Sequence, residues 1–268
     1  MYKIQFFVAV VLVSILLSSC EKEIDVNINK ADPVIVIEGV VANQTDSMIV
    51  KITRSGLITY TQFTPISGAV VSITEDGVNK VVLSEGSPGI YVRRNAKGSP
   101  GHTYTLNVEL EGKIFNATCK MPAEVQMGSL GVSTANFFGT LRNSVTVKYE
   151  DPAGIKNYYR CKVAVIKDNP VKVNQLRTLY LFDDNFSDGK SNTQEIFNLD
   201  EDFKSNDLIG LELQCIDSLT YRYWKTISQN IFQGGASTIP ANPVGNISNG
   251  ALGYFSAHTQ NRKFIKIP

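Results

Sequence analysis

Histidine is nearly absent from this chain of 268 residues; only His102 and His258 occur. Neither stands at a spacing from cysteines or carboxylates that a four-ligand zinc site uses. Cysteine is also sparse, at four. No two are separated by two residues, which removes the Cys-x-x-Cys redox and zinc patterns. No Gly-x-Ser-x-Gly elbow supports a Ser-His-Asp hydrolase. The charges show no excess of one sign, with 26 Lys+Arg against 25 Asp+Glu. That balance argues against nucleic acid or anionic lipid as the main partner. No apolar run reaches the ~20 residues of a membrane-spanning helix.

The longest apolar run is Ile4 to Leu17, behind Lys3. It fits the roughly 7–15 residues of a signal h-region. It closes on Leu17-Ser18-Ser19-Cys20, which resembles the lipobox of bacterial lipoproteins. That resemblance implies cleavage before Cys20, a diacylglyceryl thioether on its sulfur and a further, palmitate-type chain on its freed amine. Only a thiol supplies the thioether. Each buried CH₂ contributes about 0.8 kcal/mol, so three chains hold a protein on a membrane where one does not. The expected layout is a signal peptide over 1–19, with a lipidated tether over 20–32. Residues Glu21 to Asp32 are polar, without an apolar period. At ~3.3–3.6 Å per residue they reach about 40 Å.

From Pro33 the pattern becomes short apolar runs between turn signals, rich in Val, Ile, Thr, Tyr and Phe. This predicts a mainly β protein. Strands are expected at Val34–Ala42, Met48–Arg54, Ala69–Thr74, Lys80–Ser84, Ile90–Arg93, Thr103–Leu110 and Lys113–Cys119. Met48, Val50 and Ile52 share one face. So do Tyr104, Leu106, Val108 and Leu110, and likewise Phe115, Ala117 and Cys119. Asp76-Gly77 marks a hairpin turn. Seven strands over 33–122 make one Ig-like sandwich. Met121-Pro122-Ala123 breaks the run, so 123–268 is read as a second β-rich domain.

That second part predicts strands at Leu130–Asn136, Ser144–Tyr149, Tyr158–Lys167, Leu176–Phe182, Glu195–Leu199 and Leu208–Ile216, with closing strands at Gly253–Thr259 and Lys263–Ile267. One amphipathic helix is expected at about 217–233, with Leu219, Tyr223, Ile227 and Ile231 as its apolar stripe. Asp217 or Ser218 can cap its start, and Gly234-Gly235 can end it. The Gly/Ser/Asn/Pro stretch running to Asn249 reads as a covering loop or a rim. Beyond Cys20, Cys119, Cys161 and Cys215 lie in apolar strand-like runs. A Cys161–Cys215 bridge and plain core thiols both stay open.

Two resemblances add to this reading. Pro65-Ile66-Ser67-Gly68-Ala69-Val70-Val71-Ser72-Ile73, Gly89-Ile90-Tyr91 and Gly101-His102-Thr103-Tyr104-Thr105-Leu106 resemble carboxypeptidase-regulatory-like, prealbumin-type sandwiches, which are structural or binding units. Cys20-Glu21-Lys22-Glu23-Ile24-Asp25, Val36-Ile37-Glu38-Gly39-Val40-Val41, the segment from Asp151-Pro152-Ala153-Gly154 to Tyr158-Tyr159-Arg160 and the segment Gly245 to Phe255 together resemble the Bacteroidetes lipoproteins grouped as domain of unknown function 4249. The second resemblance implies an outer-membrane lipoprotein, often encoded beside TonB-dependent transporters, and carries over no catalytic residue. It implies the outer membrane as location. The partly acidic Glu21-Lys22-Glu23-Ile24-Asp25 favours the cell surface and leaves the periplasmic face open.

Candidate ligand sites are few. Asp184, Asp188, Asn192 and Glu195 match ligand positions of a twelve-residue calcium loop, although Phe186 stands where a further ligand belongs. Paired acids at Asp183-Asp184 and Asp200-Glu201-Asp202 read as loop charges, since glycosidase chemistry needs two acids across a cleft. Tyr221 and Trp224 offer a stacking face for a sugar, or else core packing. The expected function is a lipid-anchored, non-enzymatic binding or accessory subunit, without a cofactor beyond the lipid on Cys20. An outward-facing glycan- or peptide-binding adhesin is the alternative, and a hydrolase the third reading.

Overall fold

Strict alternation of apolar and polar residues sets the first strands. The computed structural model describes residues 33–56, 63–167, 178–198, 201–232 and 242–268. The lipobox, Cys20, the tether, Gly234-Gly235 and the side chain of Ile231 lie outside the described residues. Strands β1 (Ile35–Ala42) and β2 (Ser47–Arg54) turn Ile37, Val41, Met48, Val50 and Ile52 inward. The short β3 (Thr64–Pro65) pairs with β2. Then follow β4 (Val70–Glu75), β5 (Asn79–Ser87), β6 (Ile90–Arg94), β7 (Thr103–Leu110) and β8 (Lys113–Lys120). The β4–β5 turn has positive φ at Asp76 and Gly77 (51° and 73°). This is the twist-matched hairpin geometry that Asp-Gly favours.

The remaining strands are β9 (Met127–Phe137), β10 (Thr140–Glu150), β11 (Tyr158–Val165), β12 (Thr178–Asp183), β13 (Ser191–Ile196), β14 (Leu208–Ile216) and β15 (Leu252–Lys266). Helix α1 spans Ser218–Phe232. Among the described residues the fold is mainly β, with two sandwich-like regions and this one helix. One continuous ladder runs β12-β11-β14-β15-β1-β2-β6-β5-β4-β7-β8, and β13-β10-β9 form a separate sheet.

Strand β15 corrects the expectation of two closing strands. Leu252–His258 pairs in parallel with β1, and Thr259–Lys266 pairs antiparallel with β14. A backbone partner is present along the whole strand, so polar Gln260-Asn261-Arg262 does not interrupt it. The strand also serves both cores. Phe255 and Ala257 belong to the cluster of Ile37, Leu106 and Phe115, whereas Ile265 packs against the cluster of Val145, Tyr159 and Leu213. Gly39 is required here: a Cβ would lie 2.8 Å from the Phe255 ring.

Where β14 stops, the free edge of β15 is closed by Gly245 to Ala251. The Asn246 amide mimics a strand, donating to Phe255 O and accepting from Phe255 N, both at 2.8 Å. Ser248 bonds Asn116 of β8 through both its backbone N–H (2.9 Å) and its hydroxyl (2.7 Å). This part of the expected loop is a clamp between β15 and β8.

Helix α1 starts as its sequence requires, with the Asp217 carboxylate accepting from Thr220 N at 2.8 Å. Its buried face differs from the expected stripe. Thr220 and Tyr223 are buried, Trp224 and Ile227 are half-buried, and Leu219 is exposed.

Candidate functional site

The acidic loops hold the residues that match a calcium loop in part. The β10–β11 and β12–β13 loops bring Asp184 and Asp188 together with Asp151, their carboxylate oxygens within 4.8 Å of one another. Glu195 stands apart on β13, accepting from Ser133 (3.0 Å) and Ser144 (2.8 Å) hydroxyls. Asn192, also on β13, donates to Lys190 O at 3.1 Å. Five of the trio's six carboxylate oxygens are engaged. Lys156 pairs with Asp184, whose other oxygen accepts from Asn157 N at 2.7 Å. Asp188 accepts from Gly154 N at 2.8 Å. Asp151 accepts from the Tyr159 hydroxyl, and from Gly189 N at 3.2 Å. Desolvation opposes ionisation of Asp184, but Lys156 and the Asn157 N–H outweigh it and hold its carboxyl below the usual range. These groups lock two loops around a cavity of about 330 Å³ lined by Lys156, Asp184 and Asp188.

The aromatic candidates divide. Tyr221 donates to Asp183 at 3.1 Å and packs on Tyr158, ring centroids 4.9 Å apart. Trp224 carries the Arg160 guanidinium on its ring face, 3.7 Å from the centroid. It also meets Tyr254 edge-on at 5.1 Å. A cation therefore occupies the ring face that a sugar would need.

Arg160 leads to residues that sequence reading passed over. On one face of the sheet, register places Lys162 of β11 opposite Glu212 of β14, and Glu212 opposite Arg262 of β15. The adjoining row is Arg160, Gln214 and Gln260. Glu212, 1% exposed, takes Arg262 Nε at 2.6 Å, Gln214 Nε2 at 2.5 Å and Lys162 Nζ at 3.4 Å. Desolvation opposes its charge, and Lys162 and Arg262 overcome that, keeping its carboxyl below the usual range. Burial pushes Lys162 and Arg160 down. The available signal was a charged or amide side chain at every second position of two apolar strands, Arg160-x-Lys162 and Glu212-x-Gln214.

His258 stands on the same face, its Nδ1 2.9 Å from Ser256 Oγ. Both side chains are buried, and burial pushes the imidazole down to about 4. An imidazole of that basicity is neutral at pH 7 and a weak general base. His102 is a surface residue paired with Asp76 at 2.7 Å. Cys119, Cys161 and Cys215 are buried free thiols. Burial raises Cys161 to about 12 and Cys215 to about 11, which leaves them unreactive.

No curated protein matches this chain. Among solved structures it is similar to the Yersinia pseudotuberculosis adhesin InvE, at 18% identity and a TM-score of 0.22. That likeness covers 68% of this chain and 55% of the adhesin chain, so it spans about half of the latter. The profile described as "Domain of unknown function (DUF4249)" matches residues 21–263, and the chain belongs to that family.

Proposed function

We propose that this protein is a lipid-anchored outer-membrane protein that acts as a non-enzymatic binding or accessory subunit, beside a TonB-dependent transporter. The observation that carries the reading is Leu17-Ser18-Ser19-Cys20, placed shortly before a compact unit that begins at Pro33. Membership of the family supports it, through the resemblance of its motifs to envelope lipoproteins. The use made of those motifs also supports it. The Asp151–Arg160 segment locks loops and the Gly245–Phe255 segment closes a sheet edge, so both stabilise the scaffold.

The test is direct. Growth with radiolabelled palmitate should label the wild type and not Cys20→Ala, which should leave the membrane fraction. Mild-detergent purification should recover a transporter with the wild type. Labelling that survives Cys20→Ala removes the anchor. Recovery of free monomer alone removes the accessory role.

A further inference from the structure

The two cross-strand rows of β11, β14 and β15 carry three cations, Arg160, Lys162 and Arg262, around the single carboxylate of Glu212. The nearby Glu38 of β1 is engaged with Lys51 at 3.5 Å. His258 is neutral at physiological pH. Among the described residues the face therefore holds two positive charges that its own groups do not balance. Its vertical order matters too. The carboxylate is the floor at 1% exposure, whereas the Lys162 and Arg262 side chains form a rim at 24% and 28%.

Hydrogen bonding shows the same imbalance. Arg160 Nε, Trp224 Nε1 and Gln260 Nε2 are buried without a partner. Gln260 itself is only 3% exposed. Each of these three atoms is a donor. The acceptors close by are already used: Glu212 by Lys162, Arg262 and Gln214, and Gln214 Oε1 by Arg160 at 3.3 Å. A buried donor without an acceptor has lost its water and gained nothing in return. Such orphaned buried donors are rare in native proteins, and a bound acceptor is one group that satisfies them. Excess positive charge and unfilled donors thus call for one chemistry.

We infer that this sheet face binds an oxyanion, a carboxylate or phosphate carried on a small ligand, with Lys162 and Arg262 receiving it at the rim and Arg160 beside Trp224. Guanidinium groups match the geometry of both anions, and Lys162 adds a point charge. The inference rests on reading the chain as a binding protein and does not depend on the lipid anchor.

Trp224 is the chain's single tryptophan, so its fluorescence reports from within the site. Full-length protein is titrated at low ionic strength with glucuronate, with inorganic phosphate and with glucose. A saturable change is expected with glucuronate or phosphate and none with glucose. Which of the two saturates at lower concentration assigns the source as an acidic sugar or a phosphate. Lys162→Gln should weaken that response at least tenfold, and Lys162→Arg, which keeps the charge, should stay within about threefold. Iodide should quench Trp224 several-fold more strongly than caesium. No saturable change with either anion, equal response to glucose, or an unchanged response in Lys162→Gln would overturn the inference. Should Lys162→Gln not fold, a tenfold loss in Lys162→Arg overturns it as well. Any of these failures, with palmitate labelling of Cys20 intact, removes the oxyanion site and leaves the anchored reading standing.

Discussion

The outer faces of the two sandwich regions obey the same alternation and reach opposite ends. On β7 and β8 the outward positions pair as Thr105 with Thr118 at 3.1 Å and Asn107 with Asn116 at 3.0 Å. Those pairs are neutral, with Asn116 and Thr118 exposed and Thr105 and Asn107 half-buried. On β11, β14 and β15 the corresponding positions hold Arg160, Lys162, Glu212, Gln214, His258 and Gln260. Of these Glu212, Gln214, His258 and Gln260 are buried. A polar residue at every second position therefore specifies a face, and its neighbours decide whether that face is wet. A solvated neutral pair contributes little, because water replaces either partner. A buried charge must be matched inside the protein or by something that binds.

The difference can be broken most sharply at Glu212. Glu212→Gln removes the carboxylate shared by Lys162 and Arg262 and should cost about 3–5 kcal/mol in urea unfolding, the usual loss when one partner of a buried pair is removed. A cost near zero would mean that water compensates this face as it does the first.

His258 gives the next effect, and its sign follows from burial. The imidazole falls from its ordinary 6.5 to about 4 in the fold, chiefly by desolvation, with Lys162 and Arg160 adding to this and Glu212 opposing it. The unfolded chain thus binds the extra proton first as pH drops. The contribution of His258 to stability should be complete above about pH 6.5 and be lost as pH falls from there to about 4, by about 3 kcal/mol. His258→Gln should flatten that slope in denaturation curves taken across the window.

At the junction of the two regions, Asn246→Ala strips both hydrogen bonds from the free edge of β15. A loss of about 1–3 kcal/mol is expected. Hydrogen exchange should show faster exchange at Phe255 N–H, with Tyr159 and Cys161 protected as before. The smallest effect belongs to the solvated face, where Asn107→Ala should stay within about 0.5 kcal/mol by the same unfolding assay.

Much of the scaffold was legible because it is local. Period-two patterning placed Tyr104, Leu106 and Val108 inside, and Asp76-Gly77 announced its turn. Asp217 announced the helix start. The helix face was less legible, since a four-residue spacing put Leu219 on the stripe while the packed line runs through Thr220, Tyr223 and Trp224. A spacing of four drifts around a helix of 3.6 residues per turn. Of the named site candidates, Asp184 and Asp188 do meet, but with Asp151 rather than Glu195. Trp224 lies at a charged face without being the open platform its aromatic neighbours suggested.

The sequence by itself determined the β class, the strand faces, the helix and the lipobox expectation at Cys20, all read from neighbours within a few residues. Only the tertiary structure decided that β15 joins both cores, and that Lys162, Glu212 and Arg262 stand in one row. The physical reason is register. Strand pairing is fixed by backbone hydrogen bonds between segments more than forty residues apart in the chain, and each strand alone reads only as polar positions facing out. Once three such strands align and burial removes the water, those charges have only each other and whatever acceptor arrives.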